Sequence, residues 1–199
     1  YSAGSPSIGA VIADSSGSVV ARGRNHRSDT DSSQDSVTNH RLAHAELNAL
    51  LKINGKPPDL HSWRLYTSLE PCPMCMGAIF MSGIYQVHFA ARDPYSGSTN
   101  LLGSTPFLSR KQIKIYPPEN ADLEMLCSAL HAEALLRDPF IQPGHAFFQE
   151  LVQAMPHTMQ CAQYLAETKV LDQFRTIGWS VGMIMDRLVD ILKERCKIR

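Results

Sequence analysis

The first half of the chain alternates between strand-like and helix-like spacing of its apolar residues. Two short apolar runs, residues 7–13 and 18–25, flank Asp14-Ser15-Ser16-Gly17, whose composition is typical of a hairpin turn. From residue 40 to residue 53, apolar positions recur at steps of three and four, and Asn54-Gly55 follows them. This pattern predicts a hairpin and then a first helix.

The same alternation continues through the middle of the chain. The spacing predicts strands at 63–69, 85–91 and 112–116, and helices at 72–81 and 121–136. Helices that alternate with strands indicate an α/β architecture, in which a central sheet carries helices on both faces.

The pattern changes after Pro139, where apolar residues keep a helical spacing to the end of the chain. Pro156 and Gly178 divide this stretch into separate helices. We therefore predict a first domain at residues 1–138 and a helical C-terminal extension at residues 139–199. Its apolar stripes need a surface to cover, so we expect them to pack on the core or on a second subunit, closing one side of any pocket there.

Composition removes several classes of function. Lys+Arg 19 balance Asp+Glu 19, so no basic excess favours a polyanionic partner. No apolar run approaches the roughly 20 residues that a membrane-spanning helix needs. Five cysteines are an odd number for a disulfide framework, so we expect a reducing compartment and a cytoplasmic location.

Two short motifs carry candidate chemistry: His44-Ala45-Glu46 and Pro71-Cys72-Pro73-Met74-Cys75. Cys72 and Cys75 are three residues apart at the start of a predicted helix, so both sulfurs lie on one face near the positive end of the helix dipole. That position favours thiolates, the form that binds metal. Two thiolates and the His44 imidazole supply three of the four tetrahedral positions of Zn²⁺, and the fourth is left for water.

Glu46 has a different predicted role. It is two residues from His44, about 200° around an ideal helix, so both should not bind one ion. A carboxylate beside the open position of a zinc site can accept and return protons, which is the equipment of a hydrolase.

Two other interpretations of the motifs stay open at this point. His40 and His44, four residues apart on the predicted first helix, could complete a structural Cys₂His₂ zinc site. Cys72 and Cys75 could also be a redox pair. We interpret His88 and His131 as ordinary packed or surface histidines.

The tract Leu65-Tyr66-Thr67-Ser68-Leu69-Glu70-Pro71-Cys72-Pro73-Met74-Cys75-Met76-Gly77-Ala78, followed by Ala90-Ala91-Arg92-Asp93, resembles the zinc-dependent cytidine deaminase-like superfamily. The resemblance points to the branch with tRNA adenosine deaminases and guanine deaminases. It implies a cytidine deaminase-like fold with a mixed sheet, Zn²⁺ bound by His44, Cys72 and Cys75, and Glu46 as the proton shuttle. It also implies that Asn25, Ala45 and Asp93 contact the substrate.

The resemblance implies hydrolytic deamination of an aminated, nucleobase-like heterocycle with release of ammonia. We expect a small-molecule substrate, a free base or nucleoside, because the extension has no clear cluster of Lys and Arg. The alternatives are deamination of adenosine to inosine in tRNA, and a catalytically silent scaffold that binds a partner. We also expect a homodimer.

Overall fold

The computed structural model describes residues 5–30, 36–174 and 176–196, and its centre is a five-stranded mixed sheet. The strands are β1 (Gly9–Ala13), β2 (Val19–Arg24), β3 (Arg64–Thr67), β4 (Gln86–Phe89) and β5 (Lys114–Tyr116). They lie in the order β2-β1-β3-β4-β5. β1 is antiparallel to β2 and β3, whereas β3, β4 and β5 are parallel. The predicted mixed α/β sheet is confirmed.

Seven α-helices are found in the described residues: α1 (Ala45–Leu50), α2 (Pro73–Ser82), α3 (Ala121–Leu136), α4 (Ala146–Ala154), α5 (Pro156–Thr168), α6 (Val170–Phe174) and α7 (Val181–Arg195). None of them is both long enough and apolar enough to cross a bilayer. α1 and α2 link consecutive strands and pack on one face of the sheet. Their Ala49, Ile79 and Phe80 form a core with Leu65 and Val87 of the strands.

The opposite face of the sheet carries a row of stacked rings. Tyr66, His88 and Tyr116 occupy matching positions on β3, β4 and β5, and their rings stack with centroids 4.5 and 4.1 Å apart. Tyr66 is 37% exposed. α3 packs near the carboxyl ends of β3 and β4, where its Cys127 contacts Leu69 and Ala91, and its Leu123 lines a cleft with His88.

The first helix is shorter than its apolar pattern predicts, since α1 begins at Ala45 and not at residue 40. His44 has an extended backbone, with φ −79° and ψ 155°. The segment before it is held by turn hydrogen bonds, in which Ala43 N–H donates to His40 O and His44 N–H donates to Leu42 O. Apolar spacing alone does not reveal this turn, because the helix start depends on the contact of His44 with Cys72 and Cys75.

The C-terminal helices pack along α3. One cluster joins Leu126 of α3 to Leu165 of α5 and to Leu188 and Leu192 of α7. A second joins Leu135 of α3 to α4 and the start of α5. α5 begins at Pro156, and Gly178 takes a positive φ of 70° just before α7, as the pattern predicts. A further helix end at Lys169, with φ 51°, was not predicted.

Candidate active site

The N-termini of α1 and α2 bring the two motifs together. His44 is the N-cap of α1, Cys72 is the N-cap of α2, and Pro73 occupies the first turn of α2, where its missing N–H costs no hydrogen bond. His44 Nδ1 lies 3.5 Å from Cys72 Sγ and 3.6 Å from Cys75 Sγ. The three ligand atoms all lie within 4.8 Å of one another.

These distances fit a zinc ion. Tetrahedral Zn²⁺, with bonds of about 2.0–2.1 Å to nitrogen and about 2.3 Å to sulfur, sets neighbouring nitrogen and sulfur atoms about 3.6 Å apart. Within the described ranges no fourth His, Cys, Asp or Glu side chain joins the group. Three protein ligands are the number typical of catalytic zinc sites, which keep one position open.

The structural Cys₂His₂ interpretation is therefore wrong. His40 lies before α1 on an exposed turn, and its Nδ1 accepts a hydrogen bond from the backbone N–H of Leu42. The four-residue spacing from His40 to His44 has no helical meaning there, because the helix begins only after His44.

The two cysteines differ in their acid–base behaviour before metal binds. The neighbouring Cys75 side chain, helped by His44, lowers the pKa of Cys72 to about 4. The Cys72 side chain, together with burial, raises the pKa of Cys75. The pKa of His44 is raised mainly by its hydrogen bond with Cys72. The lowered pKa favours the thiolate of Cys72, the form in which cysteine binds metal.

Glu46 is buried beside the ligands and held from two sides. Its Oε1 accepts a 2.7 Å hydrogen bond from Thr67 Oγ1, and its Oε2 accepts from Cys75 Sγ at 3.4 Å. Burial raises the pKa of Glu46, although the Thr67 hydroxyl opposes the shift. Because His44 lies outside the helix on extended backbone, both side chains face one cavity despite their two-residue spacing. The carboxyl group is thus fixed in place, with both of its oxygens accepting hydrogen bonds.

His44, Cys72 and Glu46 line a cavity of about 430 Å³, and Cys75 is fully buried next to them. Asn25, Ala45 and Asp93, the predicted substrate contacts, line it as well. The Asn25 side-chain oxygen accepts a hydrogen bond from the backbone N–H of Arg27, which orients the carboxamide. Ala45 is fully buried. Every predicted site residue except the buried Cys75 therefore lines this one cavity.

Asp93 also shapes the loop that carries it. Its Oδ1 accepts hydrogen bonds from the backbone N–H groups of Tyr95 and Ser96, each 3.0 Å long. Glu70 supports the same loop, because its Oε1 accepts from Thr99 Oγ1 at 2.6 Å and its Oε2 accepts from Asp93 N–H at 3.4 Å. Both oxygens of Glu70 therefore hold the loop, although its side chain borders the cavity.

Sequence reasoning missed several residues of the site. Thr67 could have been noticed as a polar residue at an inward position of a buried strand. Glu70 could have been noticed because it directly precedes Pro71-Cys72. The outer wall of the cavity, which includes His131, Ile141, His145 and Phe147, carries no motif.

Residues 1–91 match the protein family described as the cytidine and deoxycytidylate deaminase zinc-binding region. Over this part, the chain is similar to the zinc-dependent cytidine deaminase-like superfamily. The family match, the donor set and the ligand spacing together support Zn²⁺ as the cofactor.

The chain is similar to a tRNA-specific adenosine deaminase and to a guanine deaminase. The tRNA-specific adenosine deaminase of Bacillus subtilis (strain 168) is 39% identical over 100 residues, which are 48% of this chain and 55% of that protein. The guanine deaminase of the same organism is 38% identical over 87 residues, which are 42% of this chain and 49% of that protein. The chain thus spans about half the length of the relatives it matches.

A solved structure of guanine deaminase from Nitrosomonas europaea is also similar. It is 25% identical, with a TM-score of 0.48, and the match covers 64% of this chain and 71% of that one.

Proposed function

We propose that this protein is a zinc-dependent hydrolytic deaminase of an aminated, nucleobase-like heterocycle, with a free base or nucleoside as substrate. The observation that carries the proposal is the cluster of His44, Cys72 and Cys75, an open three-ligand zinc site, with Glu46 beside it at a cavity that His44, Cys72 and Glu46 line. A catalytically silent scaffold would have no need of a buried carboxyl group held in this position.

The proposed reaction adds water to the amine-bearing ring carbon, releases ammonia and leaves an oxo group on the ring. When bound, Zn²⁺ supplies a Lewis acid that makes water a nucleophile near neutral pH. Glu46 takes a proton from the attacking water and passes it to a ring nitrogen. It then carries the second proton to the departing amine. The Thr67 hydroxyl holds the carboxylate in reach of both places.

Asn25 is proposed to orient the ring. With its oxygen fixed by Arg27 N–H, the carboxamide presents polar atoms to the edge of a bound base. Asp93 is proposed to border a sugar when the substrate is a nucleoside. Its two backbone hydrogen bonds hold it at the cavity without any help from substrate.

A second candidate is deamination of adenosine in tRNA, which the 39% identical tRNA-specific relative favours. We place it second because the chain has zero formal net charge. Binding of a polynucleotide draws most of its affinity from Lys and Arg contacts to phosphate.

We also propose a cytoplasmic homodimer. All five cysteines are free thiols, which suits a reducing compartment. Apolar residues at the start of α7, including Val181 at 73% exposure, leave a surface that a second copy can cover. Sedimentation velocity of the purified protein should give twice the chain mass of 22.1 kDa, and a monomer at all concentrations would contradict the dimer.

Ammonia release from a panel of free bases, nucleosides and tRNA tests the proposed activity. We expect one zinc ion per chain by metal analysis and release from at least one small substrate. Removal of the metal with a chelator should abolish turnover, and added Zn²⁺ should restore it. Absence of ammonia with every substrate of a zinc-loaded protein would contradict the proposal.

A further inference from the structure

The outer wall of the cavity is built by residues beyond the family match, which ends at residue 91. Tyr95, from the Asp93 loop, meets His145 and Phe147 with ring centroids 5.5 and 6.1 Å apart. Phe147 in turn meets His131 of α3 at 5.2 Å, edge to face. The wall is thus a chain of contacting rings that joins the Asp93 loop, α3 and the start of α4.

His131 brings to this wall a buried ring nitrogen without a hydrogen-bond partner among the described residues. Its ring lines the cavity, yet Nδ1 is enclosed and makes no hydrogen bond with any described residue. Burial lowers the pKa of His131 to about 4, although Asp93 opposes the shift. The ring is therefore neutral near pH 7, with one N–H donor and one acceptor nitrogen.

The environment of Nδ1 assigns the proton of this neutral ring. An enclosed N–H without an acceptor is rarer in proteins than an acceptor without a donor, so the proton belongs on Nε2. Because Nδ1 is enclosed, Nε2 is also the nitrogen through which His131 can meet a molecule in the cavity. The contact with Phe147 limits rotation of the ring and keeps it in the wall.

We propose that His131 is a specificity-determining residue that donates a hydrogen bond from Nε2–H to an acceptor on the substrate, either a ring atom or a ribose hydroxyl. This inference rests on the proposed deaminase function. It assigns substrate recognition to α3, a helix that the family match does not reach. A small site that binds a base benefits from each fixed donor, because a ligand without the matching acceptor leaves that donor unpaired.

The test compares three variants for binding and turnover. His131→Leu removes the donor at similar volume, and His131→Gln keeps an N–H donor. Ser128→Ala is the matched control, since Ser128 Oγ is another unpartnered buried atom of α3 but Ser128 does not line the main cavity. Each change is also placed in a Glu46→Gln background, so that calorimetry measures binding of free bases and nucleosides without turnover.

We expect His131→Leu to weaken binding about tenfold and to raise KM with little change in kcat, as loss of a ground-state contact should. His131→Gln should stay within about threefold of the parent and Ser128→Ala should match it. If affinity falls for free bases and nucleosides alike, the acceptor is on the ring. If it falls for nucleosides alone, the acceptor is on the ribose. Unchanged binding in His131→Leu, or an equal loss in Ser128→Ala, would overturn the proposal.

A spectroscopic measurement covers the case in which His131→Leu does not fold. In ¹⁵N-histidine-labelled Glu46→Gln protein, saturating ligand should shift the Nε2 resonance that disappears in His131→Gln. An unmoved resonance would overturn the proposal even though the deaminase function stands. If the parent enzyme neither releases ammonia from the panel nor binds any member of it, the proposed function fails first, and this inference fails with it.

Discussion

Glu46 is buried next to the proposed metal ligands and held by one hydroxyl and one thiol, so its proposed role can be tested without disturbing the fold. Glu46→Gln keeps the shape of the side chain and an oxygen for the Thr67 hydroxyl. The amide cannot take a proton from water, so kcat should fall about 10²–10⁴-fold while zinc content stays at one per chain. Steady-state ammonia release and metal analysis measure the two quantities.

Thr67→Val tests a smaller change at the same place. It removes the 2.7 Å hydrogen bond to Glu46 but leaves the carboxylate itself, so a smaller loss of kcat is expected. Zinc loss in Glu46→Gln would instead mean that Glu46 is a metal ligand and would remove the proton-shuttle role.

Gly23 fixes how closely β2 and α1 approach each other at the scale of whole elements. A Cβ on Gly23 would lie 2.1 Å from Ala45 O and 2.4 Å from Ala49 N, both of them backbone atoms of α1. Gly23→Ala should push α1 away, lower the free energy of unfolding by about 1–3 kcal/mol and reduce zinc content, since His44 and Glu46 flank Ala45. Chemical denaturation and metal analysis of the purified variant check this.

Gly77→Ala is the control for that substitution. Gly77 lies inside α2 and a Cβ there would meet nothing within 4 Å. Alanine in a helix interior should leave stability unchanged or raise it by up to about 1 kcal/mol. Equal effects of the two alanines would contradict the close approach of β2 and α1.

The solubility and activity of the protein should also depend on its C-terminal helices. Removal of residues 139–199 exposes the apolar side of α3 that contacts α5 and α7, and it removes Ile141, His145 and Phe147 from the cavity wall. We expect the truncated protein to aggregate or to be inactive. Light scattering and ammonia release check this, and a monodisperse, fully active truncation would make the extension an independent module.

Single substitutions in α7 test the same packing more mildly than the truncation does. Leu188 is 2% exposed, so its change to alanine should lower the free energy of unfolding by about 2–5 kcal/mol. Arg187, an exposed residue of the same helix, should lower it by less than about 0.5 kcal/mol when changed to alanine. Similar values for the two variants would contradict the packing of α7 on α3 and α5.

The charge balance of the whole molecule bears on the two substrate classes, which salt dependence can distinguish. An enzyme that acts on tRNA should lose affinity steeply with salt, with a log–log slope near about −0.7 per phosphate contacted on a single strand. An enzyme for free bases or nucleosides reads ring edges in a cavity and should be nearly indifferent to salt. With zero formal net charge, we expect the second behaviour. Turnover of each substrate between low and physiological salt measures it.

Efficient, strongly salt-dependent inosine formation in tRNA without turnover of small substrates would reverse this preference. The zinc site would remain, because its ligands do not depend on what the rim of the cavity contacts.

Much of the site could be predicted from the sequence because its chemistry is local. The two-residue His44–Glu46 motif and the three-residue spacing of Cys72 and Cys75 identify donor types that suit Zn²⁺. α3 was predicted at its observed limits, and its start has local signals, since Asn120 caps the helix and Asp122 and Glu124 lie in its first turn. These features need no knowledge of distant residues.

Tertiary structure decided what depends on distant contacts. The start of α1 moved to Ala45 because His44 must leave the helix to reach the cysteines, and that change turned Glu46 toward the same cavity. Thr67 joined the site because β3 lies beside α1. His131, interpreted from sequence as an ordinary histidine, lines the cavity because the packing of α3 against the Asp93 loop and Phe147 places it there. Periodicity along one segment carries no information about which other segment it will face, so these residues emerge only once the chain is packed.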